Sequence, residues 1–184
     1  MNSLSKIVAI IIGIFLFLLY PLYQQAQKHD ELSQTVVHNA VTEFVDAART
    51  KGFISPTMYS EFSQKLAATG NVFDIEISHL HKKYNPLYTD PADPNTFQKS
   101  FEAYYDGFYT DEIMKVLYPD QNIPEDSETR KYKLSLYDYL SVKVTNRNTT
   151  MAQVIQNSLF GLTEQGASSK IFVPYGGMVL NEDY

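Results

Sequence analysis

Two histidines, His79 and His81, have the residue type and spacing that come closest to a chemical site in this sequence. Residues two apart on a β-strand point to the same face, so both imidazoles could reach one metal ion. The chain contains no cysteine, and the sequence offers no clear third ligand. His29 and His38 are too far apart along a helix to help. We therefore predict no metal site, with His79 and His81 solvated at a strand end.

Two groups of acidic residues carry the hard oxygen donors that Ca²⁺ prefers. One group extends from Asp120 to Glu128, and the other consists of Asp106, Asp111 and Glu112. Neither has the central glycine or the bidentate glutamate at the spacing of a calcium loop. We interpret both groups as solvated acidic loops.

Catalytic patterns are missing from the sequence: it has no serine elbow, no oriented acid–base pair and no glycine-rich phosphate loop. Gly176-Gly177 is too short to enclose a phosphate and predicts a tight turn or a bulge. Asp74 and Glu76 alternate on the polar side of a predicted strand and need no catalytic explanation. We therefore expect that the protein is not an enzyme and has no catalytic residues, no cofactor-binding residues and no cofactor.

The elements that would position these residues begin with an uncharged apolar run, Ile7 to Tyr23. As a helix it extends about 25 Å, near the lower limit for crossing a hydrocarbon core of about 30 Å. Lys6 before the run, and Tyr20 and Tyr23 at its far end, are typical of anchors at the two membrane interfaces. No convincing small-x-small cleavage site follows, so we predict a retained single-pass span rather than a removed signal peptide.

The charges around the span predict its orientation and the division of the chain. Lys6 precedes the span, whereas Lys28 after it is offset by two acidic residues, which predicts a cytoplasmic N-terminus. We divide the chain into a tail (1–6), a transmembrane segment (7–23) and a single extracytoplasmic head (24–184). The lack of cysteine is compatible with an oxidising compartment. The formal net charge of −6 argues against nucleic acid as a partner.

A long helix continues from the span. Apolar residues recur at helical spacing from Leu32 to Ala48, and Gly52 supplies a stop. Pro21 is expected to kink the helix without ending it. The pattern predicts one helix from Ile7 to Lys51, about 68 Å long.

The rest of the chain predicts a small sheet and short helices. A helix starts at Ser55-Pro56 and closes at Gly70, and another reaches from Thr149 or Thr150 to about Phe160. Between Lys82 and Arg130, five prolines predict an elaborated loop with helices at Thr96–Tyr109 and Asp111–Leu117. The predicted strands are Val72–His81, a region beginning at Leu134 that pairs with it, Lys170–Tyr175, and Met178–Leu180.

These elements predict an α+β fold, in which a long N-terminal helix (membrane stem plus spine) packs on a small antiparallel sheet of three to four strands, with short extra helices. We expect Phe44, in the middle of the apolar stripe, to contact the sheet through Phe73, Ile75 and Ile77. The amphipathic half of the helix, which follows the membrane span, would then form the spine of the head.

This layout resembles that of type IV pilins and pseudopilins. The phrases from Phe44 to Arg49, from Gly70 to Ile77 and from Tyr175 to Met178 are similar to small Tad-type minor pilin-like proteins of Gram-positive bacteria. Pilins of the processed type have a glycine before the apolar run and a glutamate five residues into the mature helix. Here Gly13 lies nearby and Leu18 takes the place of the glutamate, which favours a minor or accessory subunit.

The resemblance implies a membrane-anchored structural or accessory subunit of an extracytoplasmic appendage, such as a surface pilus, or of a secretion assembly. Its expected partners are other pilin-like subunits, through the N-terminal helix, and the lipid bilayer. The alternative is a single-pass anchored binding module in the cell membrane. Its tyrosine-rich loops, especially Pro86 to Tyr109, would recognise an external protein or glycan.

Overall fold

One helix of 49 residues, α1 (Ser3–Lys51), dominates the computed structural model, which describes residues 3–160 and 171–182. At about 1.5 Å per residue, α1 is about 74 Å long. It begins four residues before the apolar run and continues through Pro21, as predicted. Gly52, with a φ of 77°, ends the helix in the left-handed conformation that glycine adopts without strain.

Shorter elements follow α1 in the described residues. The helices are α2 (Pro56–Ala67), α3 (Thr110–Leu117) and α4 (Met151–Phe160). The strands are β1 (Phe53–Ile54), β2 (Phe73–Tyr88), β3 (Phe97–Tyr109), β4 (Tyr132–Lys133), β5 (Tyr139–Asn146) and β6 (Phe172–Met178). Four of them form an antiparallel sheet in the order β3-β2-β5-β6, and β1 pairs with β4. The predicted α+β fold is confirmed, with four strands in the main sheet.

Several local predictions are confirmed. Ser55 caps α2 by accepting a hydrogen bond from the Met58 amide, with Pro56 at the first position. The β5 strand pairs with β2, as the alternation after Leu134 indicated. The short helix predicted after Asp111 is α3. Thr150 caps α4 through its hydroxyl, which accepts a hydrogen bond from the Gln153 amide at 3.4 Å.

The prediction for Lys82 to Arg130 is wrong in its first half. Instead of a loop, β2 continues to Tyr88, and Thr96–Tyr109, predicted as a helix, is almost entirely strand β3. The ladder between β2 and β3 supplies hydrogen bonds that outweigh weak helical propensity, and tyrosine and phenylalanine are favoured in strands.

The prediction for the last strand also needs correction. Gly176 and Gly177 form neither a turn nor a bulge, because β6 pairs continuously with β5 through both residues. A Cβ on Gly177 would lie 2.6 Å from the guanidinium carbon of Arg49, and one on Gly176 would lie 2.7 Å from the Cβ of Ser141. The two glycines therefore allow close packing rather than a change of chain direction.

Arg49 joins the end of α1 to β6. Its Nε donates to the carbonyl of Met178 at 2.6 Å, and its Nη1 lies 2.8 Å from Asp46 Oδ1. Asp46 also accepts a hydrogen bond from the Tyr175 hydroxyl at 3.1 Å. In the other direction, the Leu180 amide donates to the Arg49 carbonyl at 2.9 Å. We call these contacts the Arg49 clamp. They bring the Phe44–Arg49 part of α1 together with the Tyr175–Met178 end of β6.

The buried face of α1 differs from the predicted stripe near its start. Leu32 and Val36 are 66% and 43% exposed, whereas Asp30 and Ser33 are buried. Asp30 lies against the start of α4, where its Oδ2 accepts a hydrogen bond from the Thr150 hydroxyl at 2.7 Å. A polar contact rather than an apolar one therefore sets the rotation of α1 at this level.

The remaining buried residues of α1 form the core with both sheet and helix neighbours. Phe44 is only 5% exposed and shares a core with Ile77, but its ring stacks on Phe62 of α2 at a centroid distance of 4.6 Å. Tyr59, also of α2, meets the same ring edge-on at 6.4 Å. The main partner of Phe44 is therefore α2, and the predicted partners on the sheet need correction. The wide apolar face of α1 borders α2 on one side and the sheet on the other.

Replacement of Phe44 by alanine should destabilise the head by about 3–5 kcal/mol, because it removes a buried aromatic ring and leaves a cavity. Urea unfolding of a soluble fragment beginning at Gln24, followed by circular dichroism, measures the change. The matched control is Val36→Ala, on the exposed side of the same helix, with an expected change of about 0.5 kcal/mol or less. Equal stability of the two variants would mean that α1 is not the spine of the head.

Candidate functional site

A cluster of His79, His81 and Asp138 lies where the β2–β3 hairpin leaves the four-stranded sheet. His79 Nε2 is 2.8 Å from Asp138 Oδ2, and His81 Nδ1 is 3.0 Å from both oxygens of the same carboxylate. His79 is 4% exposed and Asp138 is fully buried, whereas the His81 side chain is 30% exposed. The expectation that both histidines are solvated is therefore wrong for His79, which lies inside the sheet rather than at a strand end.

Asp138 is fixed by the backbone on both sides. The Lys82 amide donates to its Oδ1 at 2.9 Å, and the Ser135 amide donates to its Oδ2 at 2.8 Å. Burial by itself raises the pKa of this carboxyl, but hydrogen bonds from the two imidazoles and the two amides outweigh burial and hold the pKa below its ordinary value. Asp138 is therefore a buried carboxylate that stays ionised.

Tyr132 orients the ring of His79 from the other side. The Tyr132 hydroxyl lies 2.7 Å from His79 Nδ1. Burial lowers the pKa of His79 by more than the hydrogen bond and charge of Asp138 raise it, so this imidazole is neutral at pH 7. Burial, together with the charges of Glu112 and Asp138, raises the pKa of Tyr132, which keeps the hydroxyl protonated.

The turn that presents Asp138 is in an unusual conformation. Tyr137, just before it, has a φ of 68°, in the left-handed region where residues other than glycine are uncommon. Such a backbone costs about 1–3 kcal/mol and is often found at functional sites. An open cavity of about 400 Å³, bordered by the cluster together with Lys131 and Tyr132, gives solvent access to it. The cluster is thus held in place, and solvent reaches it on the side of His81.

Asp138 is the residue that sequence reasoning missed. It lies 57 residues after His81, and only the register in which His79 faces Leu140 brings it to the histidines. The one sequence signal is a charged residue directly before a strand of alternating apolar and polar residues. The acidic residues weighed for calcium have other partners: Asp106, across from His81 on β3, pairs with Lys83, Glu112 accepts a hydrogen bond from the Tyr109 amide, and Glu128 pairs with Lys131.

A second candidate surface is the outer part of the β2–β3 hairpin. The β5 strand covers β2 only as far as Leu80, so the hairpin beyond His81 has two strands and no third neighbour in the described residues. An isolated two-stranded ribbon is marginally stable in water. One face of it carries aromatic side chains, which we call the aromatic face: Tyr84, Tyr88, Phe97, Phe101 and Tyr105.

Ring contacts connect the tip of the aromatic face. Phe97 lies 5.6 Å from Tyr88 and 5.4 Å from Phe101, between ring centroids. Phe101 is nevertheless 60% exposed. Nearer the sheet, Lys82 Nζ lies 5.2 Å from the centre of the Tyr84 ring. The opposite face is mainly polar, with an ion pair between Lys83 and Asp106 next to Tyr104. Exposed aromatic side chains gathered on one face are typical of a contact surface.

The third candidate surface is the first half of α1. Its apolar window is unburied, and α1 is long and apolar enough to cross a membrane. Ala26 is the first buried residue of α1 among those whose exposure the structure describes. The described residues therefore offer three surfaces with functional potential: the apolar stem, the aromatic face and the histidine–aspartate cluster.

Comparison with known proteins gives no further guide to function. No family profile, no curated protein and no solved structure matches the chain. The function therefore has to be inferred from the chemistry of these three surfaces.

Asp138→Ala should destabilise the head by about 3 kcal/mol or more in the presence of a chelator, because two partly buried amides and the buried His79 imidazole lose their partner. The control is Asp106→Ala, which removes a partly exposed carboxylate from the neighbouring strand β3 and should cost about 1 kcal/mol or less. Urea unfolding of the fragment beginning at Gln24 measures both changes. A loss from Asp138→Ala no larger than the loss from the control would contradict the assigned hydrogen bonds.

Proposed function

We propose that this chain is a membrane-anchored, pilin-like structural or accessory subunit of an extracytoplasmic appendage or secretion assembly. One observation carries the proposal: the exposed apolar half of α1 continues without interruption into the half that is buried in the head. An exposed apolar surface of this length is removed from water by lipid, by other chains, or by both.

The rigid connection between stem and head favours assembly over simple anchoring. A protein that only needs to be held at a membrane can use a flexible linker, because its head has no required orientation. Here Ala26 is already buried, and the Arg49 clamp fixes the far end of the same helix to the sheet. The head therefore sets the direction of the stem, as side-by-side packing of several stems requires.

Exposed apolar residues continue past the stem on one side of α1. Leu32 and Val36 are one helical turn apart and lie largely outside the core. Leu32 and Val36 extend the apolar surface of the stem into the head, where a neighbouring subunit could cover it. We propose an extracytoplasmic head and no enzymatic activity, with other pilin-like subunits and the bilayer as the partners of α1.

Single cysteines introduced into the stem test the proposal without interference, because the chain has none of its own. Cysteines at Ile11 or Ile14 should form crosslinked oligomers in the native membrane, since neighbouring stems lie side by side. A cysteine at Glu76, on the polar outer face of the sheet, is the control and should stay monomeric. Stem variants that remain monomeric under the same conditions would contradict assembly.

The second candidate function is a binding module anchored by the same stem. The aromatic face supports it, because this face lies outside the core and, among residues 3–160 and 171–182, no third strand stabilises its hairpin. In this case the partner is an external protein or glycan, which stacks against exposed rings. No nucleic acid is proposed as partner, given the negative net charge.

Tyr84→Ala combined with Phe101→Ala should separate the two functions. Both residues are exposed and lie outside the core, so the free energy of unfolding should change by about 0.5 kcal/mol or less for each. Stem crosslinking should persist, whereas surface attachment of cells that display the protein should fall if the aromatic face binds an external partner. Asn85→Ala combined with Glu102→Ala, on the polar face of the same ribbon, is the control. Unchanged attachment by the aromatic variant would reject the binding function.

A further inference from the structure

We propose that His79, His81 and Asp138 bind one divalent transition-metal ion of the Zn²⁺ class. Each residue offers one ligand atom, and these atoms all lie within 4.8 Å of one another. This inference goes beyond the proposed function and does not depend on it. Assembly through the stem and metal binding in the head involve different residues and can fail separately.

The distances fit a metal after a small adjustment. Zn²⁺ binds imidazole and carboxylate at about 2.0–2.2 Å, which places the ligand atoms of a tetrahedral site about 3.3 Å apart. The present hydrogen bonds from Asp138 to His79 and His81 are 2.8 and 3.0 Å long. Each imidazole nitrogen therefore has to move away from Asp138 by about half an ångström or less, and the two imidazole nitrogens, which lie within 4.8 Å of each other, have to reach the same separation of about 3.3 Å. The partly exposed His81 side chain, on the solvent side of the cluster, can supply that movement.

The hydrogen bonds of Asp138 fix its carboxylate in an orientation that suits a bound cation. Each of its oxygens accepts one backbone amide hydrogen bond, from Lys82 or from Ser135, which fixes the carboxylate. A carboxylate oxygen has a second lone-pair direction, and here it points towards the imidazoles. A metal ion would take the place of the imidazole protons there and would leave both amide bonds intact.

Tyr132 allows His79 to change its tautomer without losing a hydrogen bond. In the metal-free state, His79 Nε2–H donates to Asp138, and the Tyr132 hydroxyl donates to Nδ1. With a metal on Nε2, the proton moves to Nδ1 and is donated to the Tyr132 oxygen, since a hydroxyl both donates and accepts. Histidine ligands in metal sites commonly have such an oxygen partner behind them.

The donor set selects the class of metal. Two imidazoles and one carboxylate suit Zn²⁺ and related transition metals, whereas Ca²⁺ and Mg²⁺ prefer a larger set of oxygens. The three protein ligands leave one position of a tetrahedral site for water, and the adjoining cavity of about 400 Å³ gives access. The ion would connect β2, where the hairpin leaves the sheet, to the turn before β5.

Metal titration of the full chain in detergent tests the site. The protein is purified with a tag that contains no histidine and is stripped with a chelator. Calorimetry with Zn²⁺ should show one saturable site per chain, and Co²⁺ should give the visible absorption of a tetrahedral complex. Ca²⁺ and Mg²⁺ at millimolar concentration should not compete. No stoichiometric uptake of Zn²⁺ would overturn the proposal.

Three variants test whether the Zn²⁺ measured by calorimetry is bound by these residues. Tyr132→Phe keeps the ring and removes the hydrogen bond to His79, so affinity should fall about 10–100-fold. His81→Ala removes a ligand that is partly exposed, and its loss of affinity should be larger, with the helical circular dichroism unchanged. His38→Ala, on the exposed side of α1, should bind as the unmodified chain does. If His81→Ala binds equally well, or if His38→Ala loses binding, the ion lies elsewhere and the proposal is wrong. If His81→Ala fails to fold, Tyr132→Phe provides the test. An unchanged affinity of Tyr132→Phe for Zn²⁺ would then overturn the proposed site.

Discussion

The contact between α1 and β6 is the constraint on which the rest of the structure depends. A helix of 49 residues gains little from its own propensity unless an apolar face is covered. The sheet and α2 cover that face, and the Arg49 clamp fixes its rotation and depth. Gly177 of β6 lets the strand and the helix come close enough for the guanidinium to reach the Met178 carbonyl. Position along α1 then determines what is buried in the head and what extends from it.

Much of this plan is readable in the sequence, because it follows from periodicity and local capping. The apolar run, the helical stripe with Phe44 at its centre and the Ser55-Pro56 start depend on residues close together in the chain. The alternation in β2 and β5 predicts their pairing for the same reason. The buried Asp30 is different. Its partner Thr150 is 120 residues away, so the stripe alone placed Leu32 and Val36 on the wrong side.

The long hairpin and the histidine–aspartate cluster could not be predicted from local sequence patterns. The stretch Thr96–Tyr109 has helical potential by itself and becomes a strand because β2 offers a complete edge. The same strand pairings determine the cluster: β5 has to lie beside β2 in one register before Asp138 meets His79. A shift of one residue would turn the histidines to the other face. The sequence contains both histidines and the aspartate, but their proximity is a property of the sheet.

The central claim is that α1 is one rigid element whose first half is a membrane stem and whose second half is the spine of the head. The most direct measurement is a scan of single cysteines from Ile7 to Ala48, labelled with a water-soluble maleimide in the native membrane. The account predicts no labelling from Ile7 to Tyr20. Beyond Ala26 it predicts labelling at exposed positions such as Leu32 and Val36, and protection at Val37, Val41 and Val45. Free labelling within the first segment, or equal labelling of exposed and buried positions in the second, would contradict it.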